Sequence, residues 1–463
     1  MIFKKLFKEL LRSIEGSLEV GVLLLIYYFS FKFLYNRHIF PLYGGRGGIV
    51  LLFVYALLIF LIFNLNDGFK YGRLKLSHIS VTQTIDILIV NIITYFQLCL
   101  IANQVVPVTP LIVQSVIDVL VCFVICYLFT YLYHRTNTPR NMLLVYGNDR
   151  TLSFLDKANR ELSRGKITNA ISSENGLEMI TSIINNYDAV VINDVEAERR
   201  NDILKYCYEN KIRTYIVPKI SDILIRGSQE INLLDTPVLL VKGKGLTLYQ
   251  KMIKRVMDVI LCLIAFVISS PIMLAVAIAI KLEDHGPVFY KQERITKDLK
   301  KFDIIKFRSM VVNAEKDGKS IPATDNDPRI TKVGKIIRRF RIDELPQIFN
   351  ILSGDMSIVG PRPERTEHVE KYCREIPEFI FRYKVKGGLT GYAQIYGRYN
   401  TTPYDKLRLD LIYIENYSLL LDIKLIIETV RILFSKESTE GFAESKQENA
   451  DINDKEEKEI GND

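Results

Sequence analysis

VMDVILCLIAFVISSPIMLAVAIAI, residues 256–280, is apolar for long enough to cross a bilayer, yet it carries Ser270-Pro271 a little past its middle. As a straight helix it would reach about 38 Å. Proline removes a backbone hydrogen bond and clashes with the preceding turn, at about 3 kcal/mol or more, so it bends or breaks the helix. A simple kinked span would carry everything after Lys281 across the membrane. A hairpin-like re-entrant helix over 256–282, entering and leaving by one face, satisfies both the length and the proline. It can survive in lipid if the Ser270 hydroxyl and neighbouring carbonyls take up the freed backbone groups. Lys254 and Arg255 before the run and Lys281 after it favour both ends on the same side.

Upstream lie four more apolar runs, at 18–35, 48–65, 79–102 and 111–133, each of spanning length. Four in succession leave no amphipathic partner to cover them as soluble core helices, so residues 1–134 read as a four-helix transmembrane anchor. Lys4, Lys5, Lys8 and Arg12 precede the first run with no small-residue cleavage site after it, the pattern of an uncleaved anchor. Those four, then Lys70, Arg73 and Lys75, then Arg135 and Arg140 outweigh Lys32, Arg37 and Arg46 on the opposite side. Both ends of the anchor are therefore expected to face the cytoplasm. Asp86 and Asp118 lie within spans but near their starts, where pairing or snorkelling to the interface is expected.

The net charge of +8 hides a split. Residues 437–463 hold ten acidic side chains against Lys446, Lys455 and Lys458, leaving the rest of the chain near +15. The 436–463 tail, apolar-poor and aperiodic, reads as disordered. A basic body behind a membrane anchor suits anionic membrane lipids and phosphorylated substrates; no nucleic-acid module is recognisable. The six cysteines and five histidines form neither a disulfide framework nor a zinc spacing.

From 141 to 236 strands and helices alternate: NMLLVYGN, YDAVVIND and IRTYIVPK as strands, LSFLDKANREL and RNDILKYCYEN as helices. This is a small Rossmann-like α/β domain. Its first turn has one glycine, Gly147, where a dinucleotide fingerprint needs three, so a structural or regulatory role is expected.

The stretch RIDELPQIFNILSGDMSIVGPRPE, residues 341–364, has apolar residues at 342, 345, 348, 349 and 352, with Ser353-Gly354 as a stop. Asp343 and Glu344 at its start can be capping residues that complement the helix dipole. Around them stand Arg338, Arg339 and Arg341, then Lys306 and Arg308 upstream, and Arg362 between Pro361 and Pro363. Two prolines fix the backbone around an arginine, whose planar fork then loses less entropy on gripping an oxyanion. Carboxylates and cations converging on one helix start suit a magnesium-bound diphosphate, with Asp343 and Glu344 as metal ligands.

Over 249–435 the chain closely resembles the monotopic phosphoglycosyl transferases, bacterial enzymes that prime capsule, O-antigen and exopolysaccharide synthesis. The resemblance runs through Ser270-Pro271, GPVFYKQERI, IIKFRSM, DELPQIFNILSGDMSIVGPRPE, GLTGYAQIYGR and LDLIYIENYSLLLDIKLIIET. It implies transfer of a sugar-1-phosphate from a UDP-sugar to undecaprenyl phosphate, with release of UMP. Asp343 would be the nucleophile, forming a phosphosugar-aspartyl intermediate, and Glu344 would help hold Mg2+. Arg338, Pro361, Arg362 and Pro363 would grip phosphate, joined by Lys306 and Arg308; Arg398 is a nucleotide candidate. Ser270-Pro271 would be the break of the re-entrant helix. The implied protein is a multi-pass protein of the bacterial inner membrane, α plus α/β, with a mainly α catalytic domain on the cytoplasmic face. The anchor and α/β domain resemble the long form of the family and offer surface for a homodimer.

The sequence departs from that pattern in places. TKDLKK replaces a glycine-containing turn, Gly387 stands where proline is usual, Tyr392 where tryptophan is, and Phe340 and Arg341 where small hydroxyl residues are. A polytopic transferase would need about ten spans. A nucleotide-sugar dehydratase would open its catalytic domain with a strand and a glycine fingerprint, which 281–310 does not offer. A scaffold without activity would have lost the dyad or the arginines, and both are present.

Overall fold

Five helical segments are long and apolar enough to cross a membrane: Glu15–Tyr35, Gly47–Leu65, Leu76–Ala102, Thr109–Thr136 and Leu248–Asp284. They mark a membrane protein. The computed structural model describes residues 2–35, 46–72, 74, 76–137, 139–148, 155, 158–159, 165–243, 245–312, 314, 327–397 and 401–434. Its two compact units are Met1–Pro218 and Lys219–Asp463. The acidic tail lies outside the described residues.

In the first unit, α1 (Ile2–Ser30, continued by a π-helical turn Phe31–Tyr35), α2 (Arg46–Leu65), α3 (Leu76–Ala102) and α4 (Thr109–Thr136) share a core that includes Leu23, Tyr27, Tyr55, Ile59, Phe63, Ile87 and Cys122. Phe53, Phe60, Phe96 and Leu100 face outward, as residues meeting lipid do. Asp86 and Asp118 do not snorkel; both are fully buried. Asn66 donates to Asp86 at 2.5 Å, and Asn91 to Asp118 at 2.9 Å. Glu19, which the periodicity of the first run conceals, is equally buried and accepts from the Tyr71 hydroxyl and from Gln83.

The same unit holds a parallel sheet in the order β2-β1-β3-β4, formed by Arg140–Tyr146 (β1), Gly165–Ser172 (β2), Ala189–Asn193 (β3) and Arg213–Ile216 (β4). β1 pairs with β2 on one side and β3 on the other. β2 and the helix Leu177–Ile184 are additions to the sequence reading, while LSFLDKANREL lies mostly outside the described residues. Gly147 has a packing reason: a Cβ there would sit 2.1 Å from the Asp194 carbonyl oxygen at the end of β3.

The helix Ile220–Arg226 and the antiparallel hairpin β5 (Gln229–Leu233) and β6 (Thr236–Leu240) belong to the second unit, so the boundary read at 236 lies past the division at Pro218. Ile220 and Ile223 enter a core with Val359, Phe379, Leu407 and Leu411.

Leu248–Asp284 is one helix, started by a Thr247–Gln250 capping box. Pro271 lies inside it and does not end it. The carbonyl orphaned by Pro271 is that of Val267, four residues earlier, and the Ser270 hydroxyl donates to it at 3.0 Å. The side chains before and after the proline pack on the same unit. Cys262 and Phe266 meet Phe302, Ile304 and Ile351; Met273 and Ile280 meet Phe307 and Ile337. Between them Val267 and Ile268 are 70 % exposed.

Residues 281–310, which offered no strand signal, contain an antiparallel ribbon, β7 (Phe289–Ile295) against β8 (Lys301–Phe307). β7 is largely exposed and so lacks the apolar alternation that marks a strand in sequence. Its turn puts Asp298 and Leu299 at φ 56° and 59°, where glycine would sit without strain. A short parallel pair, β9 (Ser357–Val359) and β10 (Gly388–Thr390), completes the unit among the described residues, with helices making up most of the rest.

Candidate active site

The dyad sits between two helices in a short 3-10 turn, Ile342–Glu344. The helix Lys332–Arg339 before it is capped by the Thr331 hydroxyl, which accepts from the Gly334 amide, and its amide at Lys332 donates to Glu283 at 2.7 Å. Arg341 then takes φ 54°, a left-handed conformation that turns the chain into the dyad. Ile342 and Leu345 pack against the Met273–Phe307–Ile337 cluster, which leaves the two carboxylates between them pointing elsewhere. The following helix, Gln347–Ser353, ends at Gly354 with φ 93°, as the Ser-Gly stop predicted.

Asp343 is not a helix cap. Among the described residues its carboxylate has no hydrogen-bond or ion-pair partner on another residue, and the caps of both flanking elements lack a side-chain bond. Glu344 is the opposite case. Its Oε1 accepts from Lys306 Nζ at 2.8 Å and from Arg362 Nη2 at 2.9 Å. The two neighbours consequently titrate apart. Burial raises the Asp343 carboxyl above the usual aspartate range, the adjacent Glu344 charge adds to this, and Lys306 and Arg338 offset only part. Burial acts the same way on Glu344, but Arg362 and Lys306 outweigh it and hold the carboxyl far below its ordinary value. Lys306 is lowered by its own burial against the pull of Glu344, whereas Glu344 raises Arg362.

Asn350 sets this register. Its Oδ1 accepts from the Ile305 amide at 2.9 Å and its Nδ2 donates to the Asp303 carbonyl at 2.8 Å, stapling the helix after the dyad to β8 beside Lys306. Sequence reasoning missed it; the available signal was an amide on the buried side of a short helix.

Pro361 and Pro363 are buried around a half-buried Arg362. Gly387, at the usual proline position, donates its amide to Thr296 at 3.0 Å, a bond proline could not make, and a Cβ there would lie 2.5 Å from Pro363 Cγ. Arg338 is half-buried and close enough to Asp343 to act on it electrostatically. Arg308 is drawn away: it forms a two-pronged pair with Asp284 at the end of the proline helix. Arg398 lies outside the described residues.

The site thus juxtaposes one unpartnered carboxylate, one carboxylate locked between two cations, and the further positive charge of Arg338 near Asp343. Residues 249–436 match the bacterial sugar transferase family. A UDP-N-acetylgalactosamine-undecaprenyl-phosphate N-acetylgalactosaminephosphotransferase of Aeromonas hydrophila is 40% identical over 263 residues, 54% of this chain and 59% of that protein. A UDP-glucose:undecaprenyl-phosphate glucose-1-phosphate transferase of Klebsiella pneumoniae is 36% identical over 285 residues, 60% of this chain and 59% of its own length. One of the same description from Caulobacter vibrioides is 40% identical over 191 residues, 40% of this chain and 71% of the relative. The match to the first two therefore covers less than two thirds of their length.

Proposed function

This chain belongs to the bacterial sugar transferase family, and on that premise we propose that it transfers a sugar-1-phosphate from a UDP-sugar to undecaprenyl phosphate, the first membrane step in building a surface polysaccharide. The observation that carries this reading is the contrast within the dyad: Asp343 is open while Glu344 is clamped by Lys306 and Arg362.

Asp343 attacks the β-phosphorus of the UDP-sugar, and the bond from that phosphorus to the oxygen bridging the two phosphates breaks. UMP leaves with that oxygen. An oxygen of undecaprenyl phosphate then attacks the same phosphorus, and the Asp343 carboxylate departs as free enzyme. Splitting the transfer in two keeps the donor diphosphate and the lipid phosphate from meeting as polyanions. Arg362, Arg338 and Lys306 lie where they can offset the charge that develops on phosphorus-bound oxygens. Their positive field also favours the ionised, attacking form of Asp343 against its burial.

The donor set fits magnesium held through substrate. Among the described residues no three His, Cys, Asp or Glu side chains gather into a cage, but Asp343 and Glu344 supply two carboxylates, and Mg2+ is ordinarily held by one or two plus substrate phosphates. When bound it would neutralise the diphosphate and help UMP leave.

We further propose that the catalytic unit sits at the cytoplasmic face of a bacterial inner membrane, where a UDP-sugar and a membrane-held lipid phosphate can meet; the proline helix supports its seating on a bilayer. One face of that helix packs on the catalytic unit both before and after Pro271, while the opposite face, Val267 and Ile268 included, is apolar and exposed, a pattern that suits a re-entrant helix lying in one leaflet, with four transmembrane helices as a separate anchor. UMP release from a panel of UDP-sugars, with and without undecaprenyl phosphate, tests the reading. Release with none of them would refute it.

A further inference from the structure

The Pro-Arg-Pro run poses a problem of support. Two of its three residues lack an amide hydrogen, so the segment can be held in place mainly through its carbonyl oxygens. Four consecutive carbonyls find donors from separate parts of the unit. Pro361 accepts from the Gly388 amide at 2.9 Å, Arg362 from Arg382 Nη2 at 3.1 Å, Pro363 from Arg294 Nη1 at 3.2 Å, and Glu364 from the Ile295 amide at 3.1 Å. Gly388 and Ile295 belong to the local backbone weave. Arg294 and Arg382 are charged side chains, and of the two it is Arg382, 1 % exposed, that reaches the carbonyl of the residue whose guanidinium grips Glu344.

We propose that Arg382, fixed by Asp410, is a positioning residue that aims Arg362 at Glu344 and the donor phosphates; this rests on the transferase reading above. Arg382 Nε and Nη2 lie 3.0 and 2.7 Å from Asp410 Oδ2, and Asp410 is equally buried. Its guanidinium stacks over Phe379 at 4.8 Å, and Nη1 faces Glu364 at 3.7 Å. A buried ion pair of this kind is a poor way to gain stability, since its desolvation can exceed its Coulomb attraction and an apolar pair would pack as well. What an apolar pair cannot do is donate to the Arg362 carbonyl. Nε and Nη2 both go to Asp410, and Nη2 also reaches the Arg362 carbonyl, a planar two-nitrogen grip that a point-charge ammonium does not reproduce. Arg382 touches no reacting atom; it acts only through Arg362.

The test is a double-mutant cycle on the full chain in detergent, using a UDP-sugar that the wild type turns over. Arg382→Lys should lower kcat/KM by about tenfold or more, because small misplacements of a clamp are costly. In an Arg362→Ala background the same change should cost less than about twofold, since the group it aims is already gone. Arg382→Met with Asp410→Leu covers misfolding of the lysine variant: it should keep the melting temperature near that of the wild type yet show the same loss, absent again with Arg362→Ala. Equal losses in both backgrounds, or an apolar pair with wild-type kcat/KM, would overturn the positioning role. A wild type that releases no UMP would instead sink the transferase reading.

Discussion

Arg362 donates to Glu344 Oε1 across 2.9 Å, and Lys306 reaches the same oxygen at 2.8 Å, so one oxygen of Glu344 is taken by two cations while its neighbour Asp343 is left open. Glu344→Gln should remove the charge that holds these cations. A neutral amide is also a poorer ligand for a hard cation. UMP release should become slow and need more magnesium, readable as a rightward shift in a magnesium titration. Unchanged magnesium dependence would detach Glu344 from the metal.

Asp343 should cost stability where it is useful. A carboxyl raised in the fold favours the protonated native state, so its contribution is present at acid pH and lost as pH rises through the folded value, above the usual aspartate range. Asp343→Asn should therefore raise the melting temperature at neutral pH, with the gain shrinking toward acid. Glu344, depressed by Arg362 and Lys306, has the opposite sign: it stabilises above its unfolded value and is lost only in strong acid, so Glu344→Gln should lower the neutral melting temperature. Scans of both variants at several pH values compare the two directly.

The turn between β7 and β8 holds Leu299 at φ 59°. Leu299→Gly should relieve about 1 kcal/mol of backbone strain, partly offset by the greater freedom of the unfolded glycine. A small rise in denaturation midpoint with unchanged kcat is expected; a fall would mean that the turn is stabilised by a contact of the leucine side chain.

Asp118 accepts from Asn91 inside the helical bundle, with Tyr55 and Gln114 in the same hydrogen-bonded cluster. Asp118→Asn retains an acceptor, whereas Asp118→Leu strands buried donors. Thermal denaturation in detergent should separate the two clearly, the asparagine variant staying near wild type.

Much of this was legible in the sequence because it is written in local pattern: apolar runs of spanning length, the Ser-Gly helix stop, the strand-helix alternation. Asp343, Glu344 and Arg362 stand out because unusual residue types crowd a short stretch, and the fold brings Arg362 and the more distant Lys306 to Glu344. The missed pieces depend on tertiary contact. β7 is exposed and has no apolar period, Glu19 is one carboxylate hidden in a hydrophobic run, and Asn350 and Arg382 gain meaning only from partners far along the chain. Arg308 was grouped with the cations nearby in sequence, but the fold brings Asp284 closer to it. Capping, a fair expectation for a carboxylate ahead of a helix, fails because Arg341 turns the backbone just before the dyad.

In the proposed reaction Asp343 carries the phosphosugar. Enzyme quenched after mixing with UDP-sugar alone, digested and analysed by mass spectrometry, should yield a peptide containing Asp343 heavier by one sugar phosphate, and Asp343→Asn should yield none while releasing no UMP. An adduct on another residue, or turnover persisting in Asp343→Asn, would contradict it.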